Sequence, residues 1–138
     1  MGRRDLPAES SATASWIIQD LDLASALSSD HADSFPAVFA TARMVALMEL
    51  AAARVLTPLL KEGELSVGVH VDVAHTAATP AGATVTAEAR FLGTEGKFYR
   101  FEVVARDDGG EIGRGTHQRA IIDARRLVDG ATRRCGSR

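Results

Sequence analysis

The sequence predicts an α+β domain in which an antiparallel sheet wraps around one central helix. Three observations predict it. A long apolar stretch rich in helix-favouring alanine runs from Val38 to Leu56. The hydrophobic period then changes from helical to two. The later elements are joined by short turns, which makes them antiparallel neighbours.

Taken in order, residues 1–13 are polar, contain proline, and are expected to be a mobile N-terminal segment. Residues 14–124 are expected to form the domain, and residues 125–138 a C-terminal tail that frays from Ala131. Trp16 to Leu23 is apolar enough for a first strand, and polar Ser28 to Ser34 reads as a loop. Phe35-Pro36 opens the next element. Val38, Phe39, Met44, Val45, Leu47, Met48, Leu50, Val55 and Leu56 leave a helix apolar on most of its circumference. Such a helix is buried rather than laid on a surface. Pro58 ends or kinks it, and Lys61-Glu62-Gly63 leads out.

Val67, Val69, Val71 and Val73 then alternate with Gly68, His70, Asp72 and Ala74, a strand with one buried face. Val85, Ala87, Ala89 and Phe91 alternate with Thr84, Thr86, Glu88 and Arg90 in another. Thr94 to Lys97 is a turn, Phe98 to Ala105 a third strand, and Asp107-Asp108-Gly109-Gly110 a hairpin turn. Glu111 to Ile122 closes the series. A helix this apolar needs cover on every side. Sheet curvature supplies part, and a second copy of the chain is expected to supply the rest in a homodimer.

Bulk composition narrows the function classes. The 138 residues fit one domain, and 46% are hydrophobic, but only 5% are aromatic, so the core is aliphatic. A net charge of −2 gives no footprint for nucleic acid. The single cysteine, Cys135, excludes an internal disulfide and suits a reducing compartment. Arg3 and Arg4 have no apolar stretch behind them, unlike a signal peptide. No apolar run approaches the ~20 residues that span a bilayer. A cytoplasmic protein without a membrane partner is the expectation.

Glu49 is the most informative position. It is the only acid between Asp33 and Glu62 and sits mid-helix. Its helical neighbours three and four away, Val45, Ala46, Ala52 and Ala53, offer no ion-pair partner. Two readings stand: a carboxylate buried for use, or one on the helix's single wet stripe. His75 continues the odd-numbered valine series toward the helix, unless a bulge intervenes, and is the better general-base candidate. His70 falls with Asp72 on the wet face. Thr41 precedes Glu49 by eight residues, a little over two turns, so the two share a helix face. It is placed either to bring a hydroxyl to a site or to cap the helix. Gly68 and Gly82 admit close approach of backbone to a ligand. Arg119 shares strand parity with His117, and the plain reading of both is a solvated strand face. No metal-ligand spacing, nucleophile elbow or phosphate loop occurs, so the residues point to no metal site.

Three stretches carry a resemblance. They are Phe35-Pro36-Ala37-Val38-Phe39-Ala40-Thr41 with Met44 to Glu49, Ala74-His75-Thr76-Ala77-Ala78-Thr79-Pro80, and Glu111 to Ala120 with its Gly-Thr-His-x-Arg core. Together, in this order, they resemble the fluoroacetyl-CoA thioesterase family, across about Phe35 to Ile122. The resemblance implies a hot-dog homodimer that hydrolyses acyl-CoA without a cofactor. It puts the catalytic Thr, Glu and His on Thr41, Glu49 and His75, the substrate-contacting Gly and Arg on Gly68 and Arg119, and the pocket-gating Phe on Phe35. An ungapped register sets Ala32 where the family's lid carries an aromatic, which implies looser selection of the acyl group. Two rival activities use the same fold: an enoyl-thioester hydratase or dehydratase, and a non-catalytic acyl-CoA binding module.

Overall fold

The computed structural model describes residues 5–136; Arg3 and Arg4 of the expected N-terminal segment, and the last two residues of the tail, lie outside them. The period-two sequences become five strands: β1 (Ser11–Ile17), β2 (Glu64–His75), β3 (Thr84–Glu95), β4 (Phe98–Asp107) and β5 (Gly110–Asp123). All pairings are antiparallel, in the order β1-β3-β4-β5-β2. The central helix is α1 (Thr41–Leu56), and a second helix, α2 (Ala124–Arg134), follows β5. This is the α+β hot-dog arrangement expected.

Alternation decides which face of the sheet meets α1. Val85, Ala87 and Ala89 of β3 and Phe101, Val103 and Ala105 of β4 are fully buried, while the residues between them are wetter. Across them lie Met44, Leu47, Met48, Ala51, Ala52, Val55 and Leu56 of α1. Small alanines on both sides let helix and sheet approach closely. Phe91 and Phe101, with ring centroids 6.0 Å apart, fill the wider part of the core. Pro58 stops the helix as expected: Thr57 is its C-cap, and one 3-10 turn (Thr57–Leu59) follows.

Three expectations are corrected. The first strand is Ser11–Ile17, and 3-10 turns at Asp20–Asp22 and Ala24–Ala26 occupy the stretch read as its second half. The tail is largely helical, because Asp123 caps α2 by accepting from the amide of Arg126 at 2.9 Å. The valine series of β2 is not one buried face. The β2–β5 register shifts between Gly68 and His70, so parity reverses there. Val71, Val73 and His75 share the helix side with Gly68 and Ser66, not with Val67. Within this single chain, α1 has a side that its own sheet does not cover. Thr41 and Ala42 are exposed, and Val45, Ala46, Glu49 and Ala53 are half-buried.

Candidate active site

The entry to α1 is anchored from both sides. The amide of Phe39 donates to the carbonyl of Thr79 at 2.8 Å, and the amide of Ala40 to the carbonyl of Asp22 at 2.9 Å. Asp22 is held in turn by Arg43, whose Nη2 lies 2.9 Å from Oδ1. Ala40 is the N-cap and makes no side-chain capping bond, so Thr41 is the first helical residue rather than the cap. Its hydroxyl is therefore free for other work. Oγ1 of Thr41 lies 2.8 Å from Nδ1 of His75, the last residue of β2. Nε2 of His75 is buried and has no hydrogen-bond partner among the described residues. An unpaired buried polar atom costs about 1–3 kcal/mol, a cost that functional sites bear.

This pair borders a hollow of about 340 Å³ lined by Ala24, Pro36, Val38, Phe39, Thr41, His75, Thr76, Ala77 and Ala78. Phe35 is 48% exposed and does not line it; its neighbour Pro36 does. The loop before Phe35 is organised by short polar contacts. Ser28 Oγ donates to Asp33 at 2.5 Å, and Asp30 Oδ1 accepts from the amide of Ala32 at 2.9 Å.

A second cluster lies two turns further along α1. Oε1 of Glu49 accepts from Nη1 of Arg119 at 3.0 Å. The Glu49 side chain is 40% exposed, so neither sequence reading describes it: it is half-buried and paired, with the partner supplied by β5. Arg119 is buried, which overturns the solvated-face reading. A buried guanidinium needs its donors met. Ser66 takes two of them, through Oγ from Nε at 2.9 Å and through its carbonyl from Nη2 at 3.0 Å. Gly68 makes room for the group. A Cβ there would sit 2.5 Å from Oε1 of Glu49 and 3.0 Å from Cε1 of His117. Gly82, by contrast, has open space around it and serves a turn at φ +90°.

His117 is the residue that sequence reasoning passed over. It is buried on the helix side of β5, Nδ1 is 2.7 Å from the carbonyl oxygen of His70, and Nε2 is 3.1 Å from Nη1 of Arg119. Burial pushes its pKa below the ordinary 6.5, helped by the charge of Arg119 and opposed by the His70 carbonyl and Glu49. Its parity with Arg119 was visible in the sequence. Only the β2 bulge, which gives both residues an interior neighbour, was not.

Thus Thr41 meets His75, and Glu49 meets Gly68 and Arg119. The two clusters stand apart, since eight helical residues advance about 12 Å. No group of three or more His, Cys, Asp or Glu side chains able to hold a metal occurs among the described residues. No helix among them is long and apolar enough to cross a membrane.

Comparison with known proteins places this geometry. A family model described as fluoroacetyl-CoA-specific thioesterase matches residues 20–125. The fluoroacetyl-CoA thioesterase of Streptantibioticus cattleyicolor is 51% identical over 88 residues, covering 64% of this chain and 63% of that protein. The matched stretch is therefore less than two thirds of that relative's length. A solved structure of fluoroacetyl-CoA thioesterase superposes with a TM-score of 0.85 at 37% identity, covering 98% of this chain and 100% of the other. A variant of that enzyme in complex with fluoroacetate and CoA gives 0.81 at 38% identity, over 88% of this chain and 99% of the other. A Thermus thermophilus member of the thioesterase superfamily gives 0.83 at 28% identity, over 96% and 94%. In sequence through its middle three stretches and in backbone from end to end, the chain belongs to the fluoroacetyl-CoA-specific thioesterase family.

Proposed function

We propose that this protein is a thioesterase that hydrolyses a short acyl-CoA of the fluoroacetyl-CoA class to the free acid and CoA. The observation that carries the reading is the Thr41–His75 pair, 2.8 Å apart beside an open hollow, with Thr41 on the same helix as the carboxylate of Glu49. A thioester carbonyl is already electrophilic. It needs an attacking oxygen, a proton carrier and donors for the developing oxyanion. Glu49 serves as nucleophile or as base for an attacking water. Either way a C–O bond forms at the carbonyl and the C–S bond breaks; where Glu49 attacks, water then cleaves the acyl anhydride to the free acid and restores the carboxylate. His75 delivers the proton that the departing thiolate takes up, and Thr41 orients the imidazole or the carbonyl. The N-terminus of α1 opens at Thr41, which lines the same hollow. The steps use no metal or organic cofactor. Phe35, Gly68 and Arg119 flank the acyl group in this reading.

A homodimer belongs to the same proposal. The β2 edge exposes Leu65 (57%), Val69 (45%) and Val71 (41%), an apolar border that a second copy covers. A two-fold antiparallel pairing of β2 edges centred near Val71 sets the His75 end of one strand opposite the Gly68 segment of the other. That joins Thr41 and His75 of one protomer with Glu49 of its partner and closes the gap within each chain. A cytoplasmic location accords with a free thiol at Cys135.

The deciding experiment measures thiol release from acetyl-, fluoroacetyl-, propionyl- and longer acyl-CoA by the unmodified protein and by Glu49→Gln. The expectation is turnover on several short acyl groups, with Glu49→Gln slower by ~10²–10⁴ while acyl-CoA still binds. Binding without thiol release from any of them would leave a ligand-binding module, and near-normal turnover in a folded Gln variant would remove Glu49 from the chemistry. Small Ala32 in the loop before Phe35 predicts a milder preference for fluoroacetyl over acetyl than an aromatic wall gives, since such a contact is worth ~1–3 kcal/mol.

A further inference from the structure

We propose that His117 is a positioning residue of the site. Its neutral imidazole, protonated on Nδ1 and bare on Nε2, fixes the Arg119 guanidinium that holds Glu49, and protonation of the ring releases that grip. The role rests on the thioesterase reading; the geometry behind it does not.

The hydrogen bonds assign the tautomer. Nδ1 lies 2.7 Å from the carbonyl oxygen of His70, which only accepts, so Nδ1 carries the proton and donates. In a neutral ring Nε2 is then a lone-pair acceptor. The group 3.1 Å from it is Nη1 of Arg119, which only donates. Nη1 has two N–H bonds, and the second reaches Oε1 of Glu49 at 3.0 Å. Nε and Nη2 of the same guanidinium are taken by Ser66. His117 thus supplies the acceptor that keeps Nη1 from turning away from the carboxylate. An imidazolium presents a proton at Nε2 in place of a lone pair. It also adds a second positive charge beside Arg119 in a buried setting, where charges are weakly screened.

The surroundings favour the neutral ring. His117 is 1% exposed. Arg119 on its own strand and the ring of His70 on β2 oppose a positive charge, while the hydrogen bond to the His70 carbonyl and Glu49 on α1 support one; its cross-strand neighbour on β4 is the apolar Phe101. Burial outweighs the rest and lowers the pKa from 6.5. Gly68 completes the arrangement, because a side chain there would enter the space shared by Glu49 and the His117 ring.

The test has two arms on the full chain. In the first, heteronuclear NMR of the imidazole nitrogens in the unmodified protein reads protonation directly, with the His117 signals assigned by their loss in His117→Gln. The expected result is a ring protonated on Nδ1 only, still mostly neutral at pH 6.5, where an ordinary imidazole is half charged. A ring protonated on Nε2 instead, or an imidazolium at neutral pH, overturns the proposal. In the second arm, His117→Leu lowers kcat about tenfold or more with KM changed less than about threefold, and His117→Gln restores kcat to within about threefold. The Gln amide can accept from Arg119 and donate to His70, and it does not titrate, so the acid limb of kcat/KM due to His117 disappears in that variant. A loss confined to thermal stability, with kcat untouched in both variants, overturns the proposal as well. Absence of thiol release from the unmodified protein would defeat the thioesterase reading, and the ring measurement would still decide the tautomer.

Discussion

A single missing side chain sets the geometry around Glu49. Gly68 adopts ordinary backbone angles, since it is not among the positive-φ glycines, so its role is space and not conformation. Alanine there must displace either the carboxylate tied to Arg119 or the ring tied to His70. Gly68→Ala is therefore expected to lower kcat/KM by about 10–100-fold, the equivalent of ~1.4–2.8 kcal/mol of barrier, with a much smaller change in thermal midpoint. Steady-state kinetics beside a melting curve checks it, and unaltered kinetics would mean that Glu49 is not held by this packing. Part of this site was readable in the sequence. Glu49 was conspicuous because an acid with no helical partner on an apolar helix demands explanation, and His75 because it extends an apolar series. Arg119, reached only through the family resemblance, and His117 were not conspicuous in themselves, because alternating charged and polar residues on a strand look the same whether they face water or a polar interior. What separates the two cases is the partner across the fold, here Glu49 from α1 and Ser66 from β2.

At the level of elements, turn chemistry and period carried most of the reading. The β3, β4 and β5 strands were recoverable because their interior faces are continuous in one parity: Ala87, Ala89 and Phe91 of β3 pair with Ala105, Val103 and Phe101 of β4. β2 failed the same logic at a single residue, because a bulge flips parity without leaving a compositional mark. β1 was displaced because Ser11 to Ala14 is small and polar, and it is a strand only through pairing with β3. The outer face of this sheet carries its own cross-strand ladder. Arg90 bonds Glu102 at 2.7 Å, Glu102 bonds Arg114 at 2.9 Å, and Arg114 bonds Glu111 at 2.8 Å. Hydrogen bonding to Arg90 and to Arg114 holds Glu102 and Glu111, respectively, below the ordinary 4.5. A carboxylate whose folded pKa is depressed contributes stability that is complete above its unfolded value and is lost as pH falls through the folded one. The expected outcome is a thermal midpoint that drops below about pH 4.5, with Glu102→Gln flattening part of that slope and losing stability at neutral pH. Because the ladder is exposed, added salt should shrink the neutral-pH difference. A Gln variant with the unmodified protein's acid profile would show that the ladder contributes nothing to folding.

In the proposed dimer, the two half-sites meet at the scale of the whole molecule. Within one chain, Thr41 and His75 sit at the start of α1, and Glu49 with Arg119 sits about 12 Å further along it. No side-chain adjustment spans that gap, while the proposed two-fold contact along β2 would, because antiparallel strands pair the end of one with the middle of the other. The same contact would cover Val69 and Val71, making assembly and chemistry depend on one surface. A composite site makes a quantitative claim about mixtures. Glu49→Gln and His75→Ala are each expected to be inactive as homodimers. When they are mixed in equal amounts and allowed to exchange subunits, half of the dimers become mixed. In each mixed dimer one site receives both substitutions and the other receives neither. Thiol release should then recover to about a quarter of the unmodified activity per protomer, the statistical share for a two-fold interface. Val71→Lys, which buries a charge on the β2 edge, should abolish both the dimer mass seen by light scattering and this recovery. If the mixture stays as inactive as its components while the dimer mass is intact, Glu49 and His75 must act within one chain, and α1 must then rearrange on substrate binding to bring them together.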